Sequence, residues 1–279
     1  MSTTSPYDPS GFDADTLRKD LRFPGKAGRL DDFATDTDGV TKRAATAVIE
    51  ENAEAIAEEA YKLYAARERK VLIVLQGMDT SGKDGTTYAL FHRTPPLNVK
   101  VAPFKAPSKA ELAHDFLWRV HKVVPGAGEI VVFNRSHYED VLVVKVKGYA
   151  SPGTVEQRYD QINDFERLLV ESGTTVLKFM LHISHEAQGE SLRERLEVPE
   201  KRWKFNPDDL KDRALWPDFM EAYEIMLQRT STDHAPWYVI PSDSGRVRKA
   251  IVSAIVRDEL DKMGLAYPDP GYRPEDFDI

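Results

Sequence analysis

Apolar residues are concentrated in five short blocks that alternate with longer segments of mixed character. The blocks are rich in Val, Ile, Leu and aromatic residues and are bounded by polar residues, glycine or proline, which is typical of buried strands. They predict strands over residues 70–76, 97–102, 129–133, 174–183 and 236–240. Strands alternating with helical segments predict an α/β fold, in which a five-stranded parallel sheet has helices on both faces.

The segments between the blocks carry apolar residues at helical spacing. Helices are predicted over 41–69, from the loop after residue 76 to about 93, and over 108–122, 151–172, 208–229 and 247–263. Ser108 and Glu111 form a capping-box pattern at the start of the third of these helices. His114 and His121 lie on one face of that helix, and we expect them to pack or to cap rather than to bind a metal.

The length of 279 residues suits one large α/β domain or two small ones. Residues 1–40 are polar and interrupted by proline and glycine, so we expect an irregular or loosely docked arm. The main domain is predicted over 41–267 with a helical lid at about 187–215, and an acidic, extended tail over 268–279.

The composition excludes several classes of function. The chain has no cysteine, which rules out disulfides, thiolate zinc sites and a cysteine nucleophile. A net charge of −8 argues against general nucleic-acid binding, so a polyanionic ligand would need a local basic patch. No apolar run approaches the ~20 residues of a membrane span, and no signal peptide is visible, so we expect a cytoplasmic protein.

The first strand leads directly into a glycine-rich turn of the form G-x-x-x-x-G-K, followed by residues that can open a helix. This pattern is typical of a phosphate-binding loop, because its backbone N–H groups and the helix N-terminus attract anionic oxygens. The predicted loop comprises Gly77, Met78, Asp79, Thr80, Ser81, Gly82, Lys83, Asp84 and Gly85. Lys83 is placed to reach phosphate, whereas Asp84 replaces the usual Ser/Thr ligand of magnesium. Asp79 is a possible replacement.

A second polar cluster follows the third strand, at the sheet edge where α/β proteins bind ligands. Asn134 stands where an acidic magnesium ligand is usual, and Arg135 beside it has the planar fork that suits phosphate. Glu139 and Asp140 could supply negative charge for a metal. The structural alternative is that Asn134 caps a loop and that Arg135 is a surface charge.

Two groups of basic residues could hold further phosphates. The first group lies in a charged segment and consists of Arg193, Arg195, Lys201, Arg202 and Lys204. The segment is either a solvated helix with internal ion pairs or a lid that closes over a phosphoryl group. The second is a basic line formed by Lys105, Lys109, Arg119 and Lys122. This line could guide a chain of phosphates towards the phosphate loop.

No general base is evident, and a phosphate acceptor needs none because its oxygens are already anionic. This favours a kinase that acts on a phosphate group over a hydrolytic switch. An ATP-dependent nucleoside monophosphate kinase fits the residues equally well at this point. A non-catalytic regulator that senses nucleotide or phosphate is the alternative from another class.

Several long strings resemble the polyphosphate kinase 2 family over roughly residues 20–265. They are LQGMDTSGKDG at 75–85, HDFLWR at 114–119, FNRSHYEDVL at 133–142, KRWKF at 201–205 and TSTDHAPWY at 230–238. The resemblance implies a three-layer, thymidylate-kinase-like P-loop fold with a lid. It also implies Mg²⁺-dependent transfer between inorganic polyphosphate and nucleoside mono- or diphosphates, and a homo-oligomer, either a dimer or a tetramer.

By the same resemblance, Asp79 lies near the metal, Lys83 is the loop lysine and Arg135 binds phosphate during catalysis, with Asn134 and Glu139 completing the predicted catalytic set. Two departures from the family stand out. Gly189 and Ser191 occupy positions that are often basic, and residues 244–248 replace a lysine and aromatic residues.

Overall fold

The computed structural model describes residues 12–37 and 41–278. Its centre is a five-stranded, fully parallel sheet in the order β2-β3-β1-β4-β5. The strands are β1 Lys70–Gln76, β2 Val99–Pro103, β3 Ile130–Asn134, β4 Thr174–His182 and β5 Trp237–Pro241. The predicted parallel α/β fold is confirmed, and each predicted strand lies within about two residues of the observed one.

Eleven α-helices connect and cover these strands in the described residues. They are α1 Ala14–Leu21, α2 Lys42–Ala66, α3 Lys83–Phe91, α4 Lys109–Leu112, α5 Trp118–His121, α6 Val143–Val146, α7 Pro152–Glu171, α8 His185–Glu197, α9 Asp208–Ala214, α10 Trp216–Thr230 and α11 Gly245–Lys262. Short 3₁₀ helices cover Gly25–Ala27, Leu30–Asp32, His137–Asp140, Pro199–Lys204 and Pro274–Asp276. None of the helices in this part of the chain combines the length and hydropathy that a bilayer span requires.

The sheet separates two hydrophobic cores, which makes the domain three layers thick. On one face α1, α2, α3 and α11 pack together around side chains such as Ile73 and Ile251. On the other face α7 and α10 cover a core that contains Phe133 and Trp237. Because β1 is buried on both faces, its sequence reads as a continuous apolar run rather than an alternating one.

The N-terminal arm is docked rather than loose, so this expectation is wrong for the described residues 12–37. Asp13 caps α1 by accepting a hydrogen bond from Thr16 N. Leu17 and Leu21, four residues apart, bury their side chains in the α2–α11 core. The chain then runs beside β5, where Phe23 N donates to Trp237 O at 2.9 Å. The part of the arm at 1–11 and 38–40 lies outside the described residues.

The predicted helix over 108–122 is also wrong, because two single-turn helices take its place. The capping box is present, since Ser108 Oγ accepts from Glu111 N and the Glu111 side chain accepts from Ser108 N. The first helix ends at Leu112, and beyond it Asp115 Oδ1 accepts a hydrogen bond from Leu117 N at 3.0 Å, a local turn that competes with the helical pattern. His114 stacks on Trp118 and His121 packs against Phe165, as expected for packing residues.

Candidate active site

The phosphate loop follows β1 and wraps a tight anion cradle at the edge of the sheet. Gly77 and Gly82 have φ values of +151° and +91°, which side chains disfavour. Space is also limited, because a Cβ on Gly77 would lie 2.7 Å from Leu181 O and one on Gly82 would overlap the guanidinium of Arg248. The fold therefore requires glycine at both positions, and α3 begins at Lys83 immediately after them.

Lys83 curls back over the loop and holds it together. Its Nζ donates to Gly77 O at 2.7 Å and to Met78 O at 3.1 Å. Burial, together with the nearby charge of Arg135, lowers the pKa of Lys83 to about 8. Within the described part of the chain no carboxylate forms an ion pair with Lys83, so this buried lysine is poised to accept a phosphate group as its counter-ion.

Arg135 faces the loop from the end of β3. Its backbone is left-handed, with φ +60°, and its N–H donates to Leu75 O at 3.2 Å. The guanidinium pairs with Asp79 Oδ1, and its Nη1 lies 3.5 Å from Glu139 Oε2. Burial raises the pKa of Asp79, but the charges of Arg135 and Lys83 outweigh burial and hold that pKa below its ordinary value. The structure thus brings together Asp79, Lys83, Arg135 and Glu139.

Asn134 also reaches the phosphate loop. Its Nδ2 donates to Asp84 Oδ1 at 2.5 Å, so the two residues that depart from the usual phosphate-loop pattern are hydrogen-bonded to each other. Asp84 is exposed in the first turn of α3, where its negative charge also complements the helix N-terminus.

The oxygen atoms at this edge suit magnesium. Mg²⁺ is usually held by one or two carboxylates together with waters and substrate phosphates rather than by an all-protein cage. Asp79 and Glu139 offer such carboxylates on either side of Arg135. The described residues contain no group of three or more His, Cys, Asp or Glu that could hold a metal alone. The donor set therefore fits a metal whose remaining ligands come from phosphate.

The predicted lid segment contacts the phosphate loop through α8. In α8, Gln188 Nε2 donates to Asp79 O at 3.3 Å, which ties the lid to the phosphate loop. From α9, Arg213 Nη1 donates to Gln188 Oε1 at 3.0 Å and also to His185 O. A Cβ on Gly189 would lie 3.0 Å from Arg213 Nη2. Arg213 therefore supplies positive charge beside the position where a basic residue is often expected.

The five predicted lid cations have different roles. Arg195 pairs with Asp209 at 3.0 Å and is near enough to lower the pKa of Asp79. Lys201 pairs with Glu194 at 2.5 Å, and Arg202 Nε donates to Leu196 O at 2.9 Å. Arg193 and Lys204 are exposed. Of the five, Arg195 is the one whose charge acts on Asp79 of the phosphate loop, while the contacts of Lys201 and Arg202 stay within residues 194–202.

A cleft of about 820 Å³ opens beside Arg135, between the end of β2 and the segment that includes α6. One part of its wall is polar and includes Asn134, Arg135 and Glu139. The opposite part is apolar and aromatic, with Phe104, Val143, Val144 and Tyr149. A cleft with an apolar wall and a cationic end has the character of a site for a nucleoside phosphate.

The predicted basic line is divided by the structure. Lys105 and Arg119 line both the cleft and a neighbouring cavity of about 480 Å³, and Lys122 lines only the smaller cavity. Lys109, the fourth residue of the line, borders neither the cleft nor the smaller cavity, and the same is true of Lys83 in the phosphate loop. Arg119 is already engaged, because it donates to Lys105 O at 2.8 Å and lies 3.6 Å from Asp140. Its charge is therefore the least available of the four.

Two residues near the site had no signal in the sequence. Tyr223 of α10 is buried close to Gly77, and burial together with the charge of Glu139 raises the pKa of its hydroxyl well above the ordinary value. Arg248 of α11 is buried beneath the loop, where its Nε donates to Thr86 Oγ1 at 3.1 Å and its Nη1 donates to Ser242 O at 3.0 Å. Burial lowers the pKa of Arg248 to about 10. Arg248 lies in the first turn of α11, within the segment 244–248 that departs from the family.

A phosphate loop that faces an arginine, two carboxylates and a lid defines a P-loop phosphotransferase site. Comparisons with known proteins identify the family. The model of the family described as polyphosphate kinase 2 matches residues 40–267. The chain is 52% identical over 208 residues to an AMP/ADP-polyphosphate phosphotransferase of Meiothermus ruber, covering 75% of this chain and 78% of that protein. It is 38% identical over 227 residues to an ADP-polyphosphate phosphotransferase of Rhodopseudomonas palustris, covering 76% and 78% respectively.

A solved structure gives the same result. The crystal structure of polyphosphate kinase 2 from Arthrobacter aurescens TC1 matches with a TM-score of 0.88 and 35% identity, covering 99% of this chain and 96% of that one. The chain belongs to the polyphosphate kinase 2 family. The predicted family, the P-loop kinase-like fold and the activity class, a phosphotransferase that uses polyphosphate to phosphorylate nucleotides, are confirmed.

Proposed function

We propose that this chain transfers the terminal phosphoryl group of inorganic polyphosphate to AMP and ADP, or to GMP and GDP, and forms nucleoside di- and triphosphates. The observation that carries the proposal is that Arg135, at the end of β3, pairs with Asp79 of the phosphate loop, and that the charges of Arg135 and Lys83 both lower the pKa of that carboxylate. The 52% identity to an AMP/ADP-polyphosphate phosphotransferase supports adenine nucleotides as acceptors. Since both substrates are phosphates, the reverse reaction uses the same residues.

The chemistry needs alignment and charge neutralisation rather than proton abstraction. The loop N–H groups and Lys83 hold the donor phosphate, and Arg135 grips the group in transfer with its planar fork. The acceptor phosphate enters from the cleft, with the nucleoside against Val143, Val144 and Tyr149. Magnesium, held by Asp79 and by Glu139 or Asp84, would neutralise the charge on the phosphate oxygens. Closure of the lid over Asp79 excludes water, which protects the phosphoryl group from hydrolysis.

One assay tests the proposal directly. The purified protein is incubated with polyphosphate, Mg²⁺ and AMP, ADP, GMP or GDP in turn, and the nucleotides are separated by ion exchange. Polyphosphate-dependent product with at least one acceptor is expected, and chelation of Mg²⁺ should stop it.

Lys83→Ala should remain folded and lose turnover, because no other loop side chain carries a positive charge. Product only with ATP as donor would contradict the proposal.

Three further features stay predictions: binding of polyphosphate by Lys105, Lys109, Arg119 and Lys122, a homo-oligomer in the form of a dimer or tetramer, and a cytoplasmic location without nucleic-acid partners. The net charge of −8 supports the last point, because a polyanion would be repelled outside local basic patches. Light scattering behind a sizing column measures the oligomer directly.

A further inference from the structure

A charged network lies fully buried beneath the turn that carries Arg135 and Glu139. After Arg135 the chain forms the 3₁₀ helix His137–Asp140, in which Ser136 Oγ accepts from Tyr138 N at 3.2 Å. Arg135 and Glu139 point to the phosphate loop, whereas His137 and Tyr138 between them point into the core and are completely inaccessible to solvent. The orientation of the two active-site side chains thus depends on how the buried pair is held.

Tyr138 is held by an ion pair. Its Oη donates to Glu166 Oε1 of α7 at 2.7 Å and accepts from Lys178 Nζ of β4 at 2.9 Å. Lys178 also donates to Glu166 Oε2 at 2.6 Å and to Thr230 O at 2.7 Å, so all three protons of the ammonium are used. His137 Nε2 lies 3.4 Å from Glu166 Oε1. The turn is therefore fixed to β4, α7 and α10 at once.

A fully buried ion pair between a central strand and the helix that covers it is unusual. Lys178 and Glu166 are both fully buried, and burying two charges is costly unless the geometry and the hydrogen bonds are favourable. Apolar residues of similar volume are often as stable or more stable at such positions. What apolar residues cannot provide is direction, because only the ion pair fixes the position of the Tyr138 hydroxyl from two sides.

We propose that Lys178, Glu166 and Tyr138 are positioning residues for phosphoryl transfer: they fix the turn from which Arg135 reaches the group in transfer. The inference rests on the proposed function. It predicts that loosening the network slows turnover more than it weakens substrate binding, since the phosphate loop and the apolar part of the cleft lie outside the His137–Asp140 helix.

Tyr138→Phe is the sharpest test, because it removes one oxygen and leaves the ring and the Lys178–Glu166 pair in place. We expect kcat to fall about tenfold, with the KM of polyphosphate and of nucleotide each changed less than about twofold. Tyr159→Phe is the matched control: Tyr159 is also buried, and its hydroxyl has no hydrogen-bond partner among the described residues. An equal fall in kcat in the two variants would overturn the proposal.

A double-mutant cycle shows whether Tyr138 acts through Arg135. In an Arg135→Ala background, with residual turnover followed by luciferase over long incubations, Tyr138→Phe should have no further effect. The same tenfold fall in both backgrounds would mean a general structural effect and would overturn the proposal.

A charge-free variant separates position from stability. Lys178→Met/Glu166→Gln keeps an acceptor for Tyr138 but removes both charges, so its melting temperature should equal or exceed that of the wild type while kcat falls about tenfold. Full turnover in this variant would overturn the proposal. Wild-type protein is assayed alongside: no polyphosphate-dependent product from it would contradict the proposed function, whereas an active wild type with unaffected variants contradicts only this inference.

Discussion

Asn134 at the end of β3 donates a hydrogen bond to Asp84 in the first turn of α3, with 2.5 Å between Nδ2 and Oδ1. In P-loop proteins of the usual pattern, the residue after the loop lysine is Ser or Thr and the strand-end residue is acidic. Here the carboxylate is on the loop and the neutral polar group is on the strand. The two departures therefore compensate for each other: the pair of positions still holds one carboxylate and one neutral polar side chain, but the carboxylate is now at residue 84 instead of residue 134. We call this the exchange.

The exchange predicts strong coupling between the two positions. Asn134→Asp places two carboxylates in contact with each other. Asp84→Ser leaves this pair of positions without a carboxylate. Each single variant should therefore lose activity. Asp84→Ser/Asn134→Asp restores the usual arrangement and should retain more kcat/KM than the better single variant, with a coupling of about 1–2 kcal/mol. The measurement is kcat/KM across a Mg²⁺ titration. Losses that simply add would show that the two residues act independently.

The metal should depend chiefly on Asp79. Asp79→Asn removes a carboxylate of the phosphate loop and also frees Arg135, which pairs with it, so we expect a loss of about a hundredfold or more in kcat. Asn134→Ala should cost less, and added Mg²⁺ should rescue Asp79→Asn only in part. Glu139→Gln is the matched comparison, because it removes the other carboxylate next to Arg135. If Glu139→Gln or Asn134→Ala is the more damaging change, the metal lies further along the turn.

The lowered pKa of Lys83 predicts an alkaline limb in the pH profile. In the free enzyme this pKa is about 8, below the ordinary value of 10.5, so the charged form is lost as pH rises through 8. Binding of phosphate needs the charged form, and kcat/KM should therefore fall about tenfold per pH unit above 8. In the substrate complex the phosphate charge raises the pKa of Lys83, so kcat should hold to higher pH.

Lys83→Arg provides the control for that limb. Its guanidinium stays charged across the range, so the variant should be slower but flat between pH 7 and pH 9.5. A limb that persists in Lys83→Arg would assign the titration to another group.

The parts of the fold that the sequence predicted well are those determined by local patterns. Strand β1 was predicted over its observed length, Lys70–Gln76, because a run of apolar residues ending in a glycine-rich turn leaves few alternatives. The position of Arg135 beside the phosphate loop followed from topology, since parallel strands bring their carboxyl ends to one edge of the sheet. Asp13 is a typical N-cap residue, and Leu17 and Leu21 are spaced as on one face of a helix. The prolines and glycines around this short segment favoured an irregular arm instead, so the helix was not predicted.

The parts that could not be predicted depend on contacts between distant residues. Nothing near Gly189 indicates that Arg213, from another helix, packs against it. The pairing of Arg119 with Asp140 is equally invisible from the sequence, although it decides whether that cation is available to a ligand. The break at Asp115 is a local event, but helical propensity and a side-chain turn compete closely there, and the tertiary packing of Phe116 and Leu117 favours the turn.

The last prediction concerns the donor and its dependence on salt. Polyphosphate carries about one charge per phosphate, and charges on a protein surface are screened over roughly 8–10 Å at moderate salt. The KM of polyphosphate should therefore rise steeply with added salt, as for other polyanions, while the KM of nucleotide rises less because the nucleoside makes apolar contacts in the cleft.

Single substitutions locate the donor path along the basic line. Lys105→Ala and Lys122→Ala should each raise the KM of polyphosphate about two- to fivefold, the effect of one exposed charge, and should reduce the salt dependence. Arg119→Ala should act differently, by leaving Asp140 to Arg158 alone and destabilising the turn. Lys19→Ala, an exposed lysine of α1 that lines neither cavity, is the control. If Lys105→Ala and Lys122→Ala raise the KM of nucleotide as much as that of polyphosphate, these lysines serve the acceptor, and the donor path runs along the lid cations instead.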